Sequence, residues 1–171
     1  MGITGHRTSG PEETEAAARA LARLVEAGDA IGLVGELGAG KTRFVTGLAR
    51  GLGVPDHVRV TSPTFTILNQ LRGGRLPLHH ADLYRIASAA ELDHIGFDEL
   101  WGQGVIAVEW SDRFSILPPD HLIVRLSIVG DDERALDAEG QGARSRRLAD
   151  AWAASLAGGA AGSRSGPGSR A

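Results

Sequence analysis

The sequence predicts an α/β fold, a three-layer sandwich in which helices cover both faces of a mixed β-sheet. Short apolar runs typical of buried strands alternate with segments whose apolar residues recur at helical spacing. At one junction the glycine-rich stretch GELGAGKT, Gly35 to Thr42, lies between an apolar run and a helix-like segment. A strand, a glycine-rich loop and a helix in that order are typical of a phosphate-binding loop (P-loop), so we expect the P-loop NTPase type of α/β fold.

The N-terminal third is expected to contain a helix followed by a buried strand. Residues 11–29 are rich in Ala, Leu, Glu and Arg at helical spacing, and Gly28 is expected to end that helix. Ser9 and Glu12 have the spacing of a capping box around its start. The short apolar run at 30–35 then predicts the strand that enters the glycine-rich loop.

The rest of the chain continues the alternation of strands and helices. The helix after the loop is expected to stop at the Gly/Pro-rich residues 51–55. A further helix is predicted at 88–100, and a hairpin turn at Gly73 and Gly74. Five segments have the pattern of strands: 57–62, 64–71, 75–84, 104–110 and 121–129.

Length and composition divide the chain into a folded body and a tail. Residues 1–156 are expected to form a single domain, long enough to bury its own core. Residues 157–171 are rich in Gly, Ala, Ser and Arg and have almost nothing to bury, which predicts a disordered tail. A chain of 171 residues leaves no room for separate substrate and lever domains, so its work is expected to involve partners.

Charge and cysteine content exclude several classes of protein. The formal net charge of −3 gives no global basic field, so tight unassisted binding to nucleic acid is not expected. The absence of cysteine excludes disulfides, thiolate metal sites and a cysteine nucleophile. No apolar run approaches the roughly 20 residues that cross a bilayer, and the N-terminus lacks an apolar signal core. We therefore expect a cytoplasmic protein without a membrane partner.

The glycine-rich loop carries the strongest functional signal. Gly35, Gly40, Lys41 and Thr42 satisfy the pattern G-x-x-x-x-G-K-[ST], in which backbone N–H groups cradle phosphate oxygens at a helix N-terminus. In this pattern Lys41 reaches the β and γ phosphates and the Thr42 hydroxyl binds Mg²⁺. The guanine-reading motif N-K-x-D is absent, which disfavours a GTPase.

Two carboxylates at predicted strand ends are candidates for holding the metal. Asp82 closes one apolar strand and Glu109 closes another, and ligand sites of α/β sheets lie at the carboxyl ends of strands. The pattern does not decide which of the two meets the metal. The neighbouring His79 and His80 are a poor metal pair, because adjacent strand residues point to opposite faces. His80 shares a face with Asp82 and is expected to form a hydrogen bond within the site.

Two further features admit two interpretations each. The polar elbow TSPTF, Thr61 to Phe65, could meet the γ-phosphate or the attacking water as switch segments do, or it could be a plain turn. Trp110, next to Glu109, could offer a stacking surface or pack in the core, and we favour packing.

Four motifs in the order GELGAGKT, TSPTF, HHADLYR and VEW closely resemble those of the TsaE family, from about Glu12 to Arg134. Members of this family are bacterial ATPases required for threonylcarbamoyladenosine at position 37 of tRNAs that read ANN codons. The resemblance implies that ATP and Mg²⁺ bind here. It also implies that TsaD, in complex with TsaB, performs the carbamoyl transfer, and that this chain supports turnover of that complex. The tRNA would then be reached only through the complex.

The resemblance implies roles for single residues as well. Thr42 and Glu109 would bind Mg²⁺, Asp82 would take the Walker B role, and Lys41, Asp82 and Glu109 would form the catalytic set. Residues 61–64 would form a switch-like segment. The residues that would hold or border the nucleotide are Thr14, Gly38, Ala39, Gly40, Lys41, Thr42 and Arg134; Tyr84 and Arg85 would lie near the site.

Together these features predict a Mg²⁺-dependent ATPase that acts as an accessory subunit. No arginine finger is evident, so slow turnover alone and stimulation by partners are expected. Two alternatives stay open. A P-loop small-molecule kinase would need an acceptor pocket and an arginine-rich lid, for which no clear segment is found. A non-hydrolysing ATP-sensing module would bind nucleotide without releasing phosphate.

Overall fold

The computed structural model describes residues 2–161 and confirms an α/β fold with a mixed sheet. The strands are β1 (Ile3–Thr8), β2 (Ala30–Val34), β3 (Leu68–Leu71), β4 (Leu78–Asp82), β5 (Val105–Glu109), β6 (His121–Ile128) and β7 (Arg134–Gln141). The helices are α1 (Pro11–Ala22), α2 (Lys41–Leu52), α3 (Ala89–Asp93), α4 (Phe97–Leu100) and α5 (Ala143–Ala161), with a short 3₁₀ turn at Ser111–Arg113.

The seven strands form one sheet in the order β1-β7-β6-β2-β5-β4-β3. The four central strands β6, β2, β5 and β4 are parallel, and the outer pairings are antiparallel. The parallel strands therefore all end on one side of the sheet, which we call the carboxyl edge. It is marked by the strand ends Val34, Asp82, Glu109 and Ile128.

Helices cover both faces of the sheet, which confirms the three-layer arrangement. One layer contains α1, α2 and α5, and its core includes Phe44 and Trp152, whose rings meet edge to face at 5.7 Å. The opposite layer is thinner, with α3 and α4 packed on Ile106 and Val108 of β5. Helices α1 and α2 approach closely because Gly47 has no side chain: a Cβ there would lie 2.4 Å from a carbonyl oxygen of α1.

The first helix differs from the prediction at both ends. It begins after Gly10 and ends at Ala22, well before Gly28. The predicted capping box of Ser9 and Glu12 is wrong, because the Ser9 backbone N–H donates to the Glu13 carboxylate at 2.7 Å. The N-cap is Gly10, which has no side chain to donate or accept, and a proline follows it at the first helical position.

The segment between α2 and β3 contains less strand than predicted. Residues 57–62 form no strand, and of residues 64–71 only the last four do. The guanidinium of Arg50 donates to the backbone carbonyls of Val54, Pro55 and Val58, so carbonyls that could pair in a sheet are bound by a side chain instead.

The predicted helix at 88–100 is divided into α3 and α4. The division occurs at Gly96, whose φ of 75° lies in the left-handed region that ends helices. The two short helices lie on the face of the sheet that carries Ile106 and Val108.

The sequence does not predict β1, β7 or α5. The prediction of a disordered tail at 157–171 is wrong for residues 157–161, which form the last part of α5. An alanine-rich segment extends an existing helix easily, since adding residues is far less costly than nucleation. The remaining tail residues, 162–171, lie outside the described part of the chain. No helix within residues 2–161 is both long and apolar enough to cross a bilayer.

Candidate nucleotide-binding site

The glycine-rich loop connects β2 to α2 at the carboxyl edge. Gly38 and Gly40 have φ values of 80° and 103°, in the left-handed region where side chains are strained. Gly35 is required for space, since a Cβ there would lie 2.5 Å from the carbonyl oxygen of Leu126 on β6. Helix α2 starts at Lys41 without a side-chain cap, so its first N–H groups are free to meet an anion.

Lys41 is held against its own loop. Its Nζ donates to the carbonyl oxygens of Gly35 and Glu36 at 2.5 and 2.9 Å, and lies 4.0 Å from the centroid of the Trp110 ring. Burial lowers the pKa of the Lys41 ammonium, an effect that Glu109 and then Asp82 oppose. The ammonium group therefore sits in a pocket of carbonyls, carboxylates and one aromatic face.

Trp110 combines the two interpretations made from the sequence. It is partly buried and packs against the core of the thinner helical layer. Its ring also faces Lys41 and lies 5.0 Å from the ring of Tyr84. The backbone φ of Trp110 is 59°, in the left-handed region, so the chain turns directly after Glu109. The tryptophan is thus both a packing residue and a wall of the site.

Glu109 is the carboxylate that contacts the loop directly. The Thr42 hydroxyl donates to Glu109 Oε1 at 2.9 Å, and His80 Nε2 lies 2.7 Å from the same oxygen. His80 and Glu109 are brought together by strand register, because β4 and β5 pair in parallel with Asp82 beside Glu109, whereas Thr42 reaches Glu109 from the start of α2. The expectation that His80 makes a hydrogen bond within the site is confirmed.

Asp82 is buried beside Glu109 but has different partners. The Ser62 hydroxyl donates to Asp82 Oδ2, and the backbone N–H of Tyr84 donates to Oδ1 at 2.8 Å. Asp82 therefore connects the site to the polar elbow at 61–65. The sequence does not indicate the pairing of Ser62 with Asp82, because it joins residues 20 apart through tertiary folding and leaves no local pattern.

Thr14 and Arg134 lie on the other side of the loop. The guanidinium of Arg134 donates to the carbonyl oxygens of Ala39 and Gly38 at 3.2 and 3.1 Å. The Thr14 hydroxyl is 2.9 Å from the hydroxyl of Thr8. A cavity of about 200 Å³ is bounded by Thr14, Arg134 and the loop glycines. The structure thus brings Thr14, Arg134 and the P-loop to one cavity, although they lie far apart in sequence.

The oxygen atoms beside the loop that could coordinate a metal suit Mg²⁺. They are the hydroxyl of Thr42 and the carboxylates of Glu109 and Asp82, all hard oxygen ligands. Residues 2–161 contain no cluster of three or more His, Cys, Asp or Glu side chains that could cage a metal. A site with few protein ligands suits Mg²⁺, which keeps waters and takes phosphate oxygens as further ligands.

Comparison with known proteins gives consistent matches. The family model described as "Threonylcarbamoyl adenosine biosynthesis protein TsaE" matches residues 8–136. A Bacillus subtilis protein named tRNA threonylcarbamoyladenosine biosynthesis protein TsaE is 42% identical over 146 residues, 84% of this chain and 90% of that protein. A Streptomyces coelicolor protein of the same name is 42% identical over 118 residues, 66% of this chain and 78% of its own length. The crystal structure of Bacillus subtilis YdiB superposes with a TM-score of 0.76 at 38% identity, covering 90% of this chain and 97% of YdiB.

Proposed function

This chain belongs to the TsaE family, and from that membership and the geometry of the site we propose that it is a Mg²⁺-dependent ATPase in the synthesis of threonylcarbamoyladenosine on tRNA. The observation that carries the proposal is the hydrogen bond of 2.9 Å between Thr42 and Glu109. It joins the P-loop hydroxyl to a strand-end carboxylate, which is the pairing that Mg²⁺ and nucleotide phosphates require.

The side chains around the loop have distinct roles. Lys41 supplies positive charge to the β and γ phosphates, while Thr42 and Glu109 hold the metal. When bound, Mg²⁺ neutralises charge that develops on the phosphate oxygens. Asp82, fixed by Ser62 and by the Tyr84 N–H, orients the water for in-line attack.

The nucleoside part fits the cavity on the opposite side of the loop. Gly38 and Gly40 line it on the loop side, and Thr14 with Arg134 borders it. Arg134 keeps the loop in place through two loop carbonyls, so its contribution includes the shape of the loop as well as contact with the nucleotide.

The partner surface lies at the same edge of the sheet. Within residues 2–161 the large apolar side chains that are exposed all follow the carboxyl ends of parallel strands or flank the site: Leu37, Phe65, Tyr84, Ile128 and Val129. Phe65 is 83% exposed and has the guanidinium of Arg85 4.5 Å from its ring centroid. Exposed apolar residues that share one edge of a fold suit contact with another protein.

We assign the complex of TsaB and TsaD as the partner of this surface. With this partner, TsaD performs the chemistry at position 37 of tRNAs that read ANN codons, and ATP turnover by this chain supports repeated cycles. The γ-phosphate would order the segment at 61–65, which contacts Asp82 on one side and presents Phe65 on the other.

Phosphate release measured with and without the partner complex tests the proposal. The wild-type chain is expected to release phosphate with Mg²⁺, slowly alone and faster with TsaB and TsaD, and to release none in EDTA. Lys41→Ala should abolish release, and the matched control Arg147→Ala, which removes an exposed cation on α5, should not. Nucleotide binding without phosphate release under all conditions would contradict the ATPase assignment, and transfer of phosphate to a small acceptor would identify a kinase.

A further inference from the structure

His80 is a buried polar side chain that the roles above do not use. It is 0% exposed and lies on β4 two residues before Asp82. In the parallel register it stands beside Ala107, two residues before Glu109. A fully buried imidazole needs a reason, because burying a polar group is unfavourable unless it is hydrogen-bonded.

The hydrogen bonds of Glu109 define what His80 does. A carboxylate only accepts hydrogen bonds, so the contact of 2.7 Å requires that His80 Nε2 carries the proton and donates it. The Thr42 hydroxyl donates to the same oxygen, Oε1. Within residues 2–161, Oε2 has no hydrogen-bond partner. One carboxylate oxygen is therefore saturated and the other is open.

We propose that His80 is a positioning residue that fixes Glu109 through Oε1 so that Oε2 is presented to the metal. The proposal rests on the proposed function, because Mg²⁺ is the ion that Oε2 would meet. The terminal torsion of a glutamate is broad, so a free carboxylate would exchange its two oxygens. If the Thr42 hydroxyl were the only donor to Glu109, the carboxylate would be released whenever that hydroxyl rotated to another acceptor. His80 holds the carboxylate independently of the loop.

The neighbouring His79 is the natural control. It is also buried, at 3% exposed, but as an adjacent strand residue it points to the opposite face of the sheet. Substitution of His79 disturbs the same strand without removing a donor to Glu109. A general effect of packing on β4 would therefore appear in variants of both histidines, and an effect on the metal only in variants of His80.

Two amide substitutions separate positioning from packing at His80 itself. The amide nitrogen of glutamine extends about as far as Nε2, whereas that of asparagine reaches only the position of Nδ1. His80→Gln therefore retains a donor toward Oε1 and His80→Asn loses it. Both replace a ring by a polar amide, so loss of the ring is common to the pair.

The experiment measures the Mg²⁺ concentration for half-maximal binding of a fluorescent ATP analogue, and separately the binding of that analogue in EDTA. Loss of an outer partner of a metal ligand commonly weakens metal affinity 10- to 100-fold, so His80→Asn should raise the Mg²⁺ requirement about tenfold. Binding in EDTA should be unchanged, and His80→Gln and His79→Gln should stay close to wild type. An unchanged Mg²⁺ requirement in His80→Asn, or an equal rise in His80→Gln and His79→Gln, would overturn the proposal.

Wild-type protein provides a second test that does not depend on folding of a variant. Imidazole ¹⁵N NMR without metal or nucleotide should show His80 with its proton on Nε2, and a proton on Nδ1 alone would overturn the proposal. Wild-type nucleotide binding that ignores Mg²⁺ would contradict the proposed function, and the metal role of His80 with it. If nucleotide binding by the wild type depends on Mg²⁺ and His80→Asn has the same Mg²⁺ requirement, only the role of His80 is contradicted, and the proposed function stands.

Discussion

Lys41 is the only lysine in a chain that has 18 lysine and arginine residues. Lysine is a compact point charge on a flexible stem, whereas arginine has a rigid planar fork. The narrow space between the carbonyls of Gly35 and Glu36 and the ring of Trp110 accepts the former. Chemistry directed at lysine therefore reports on the site alone, apart from the chain's α-amino group.

Nucleotide should protect Lys41 from amine-reactive reagents. Burial lowers the pKa of the Lys41 ammonium, which raises the fraction in the reactive neutral form at a given pH. ATP with Mg²⁺ would engage the amine with phosphate and slow its modification, while the α-amino group would react at an unchanged rate and serve as the internal control. Mass spectrometry after timed acetylation measures both rates. Equal labelling of Lys41 with and without nucleotide would contradict its contact with phosphate.

The two carboxylates should differ in their effect on the metal. Glu109 shares a hydrogen bond with Thr42, whereas Asp82 is bound by Ser62 and the Tyr84 N–H. Glu109→Ala should therefore raise the Mg²⁺ concentration needed for nucleotide binding by at least the roughly 10- to 100-fold that follows loss of an outer partner of a metal ligand, and Asp82→Ala by much less while still abolishing phosphate release. Titration of nucleotide binding with Mg²⁺ measures this. An equal or reversed Mg²⁺ dependence would mean that the two roles are exchanged.

At the scale of elements, the P-loop helix α2 is supported from behind by α5. Trp152 of α5 is fully buried, meets the ring of Phe44 on α2, and donates from Nε1 to the carbonyl oxygen of Ala17 on α1 at 2.9 Å. One side chain thus joins three helices of the same layer. The family model ends at residue 136, so α5 lies beyond the matched region and yet completes the core beneath the loop.

Substitution of Trp152 should destabilise the whole fold. Trp152→Ala removes a large buried ring and should lower the free energy of unfolding by about 3–5 kcal/mol. Trp152→Phe retains most of the ring area and loses the hydrogen bond, which contributes about 1 kcal/mol, so its loss of stability should be smaller. Urea unfolding measures both, with the partly exposed Trp101→Ala as control. A smaller effect for Trp152→Ala than for Trp101→Ala would contradict this role of α5.

Strand β4 should make stability depend on pH through His79. Burial lowers the pKa of its imidazole below 6.5, an effect that the backbone of Gln103 opposes and the charge of Arg72 reinforces. As the pH falls through 6.5, the His79 imidazole binds a proton in the unfolded chain but not in the folded chain. The free energy of unfolding therefore decreases between pH 6.5 and the pKa of His79 in the folded chain. The decrease is at most about 1.4 kcal/mol per pH unit. Unfolding between pH 8 and pH 5 should show less acid sensitivity in His79→Gln than in wild type. The exposed His57→Gln should match wild type, and an unaltered slope in His79→Gln would refute the assignment.

The central elements are predictable from sequence because their signals are local. Strands β2 and β5 are continuous apolar runs, and the loop between β2 and α2 has a strict glycine spacing. Strand β7 gives a weak signal because Leu136 is its only large inward residue, beside Ala138 and Gly140. Helix α5 is rich in alanine and glycine and resembles a low-complexity tail.

The site, too, is predictable from sequence only where its signals are local. The P-loop pattern indicates Lys41 and Thr42, and strand ends indicate Asp82 and Glu109. The partners of each carboxylate are not predictable, because they depend on the register between β4 and β5, and a shift of one residue would turn His80 away from Glu109. The pairing of Ser62 with Asp82 likewise depends on where a loop without strand structure lies over the sheet.

At the scale of the whole molecule, the nucleotide site and the exposed apolar residues share the carboxyl edge of one sheet. Phosphates would bind at residues 35–42, and Leu37 within that loop is 74% exposed. A partner seated on this edge would contact the loop and the segment at 61–65 together. Its affinity would therefore respond to the state of the nucleotide, because γ-phosphate contacts order such segments and hydrolysis releases them.

Multiple-turnover formation of threonylcarbamoyladenosine on tRNA by purified TsaB and TsaD, with this chain added or omitted, tests whether its ATP turnover serves that synthesis. Phosphate release is recorded in the same reactions. The wild-type chain is expected to sustain turnover while consuming ATP, and folded Lys41→Ala to give no more product than omission of the chain. Equal product with wild type, with Lys41→Ala and with no added chain would contradict it.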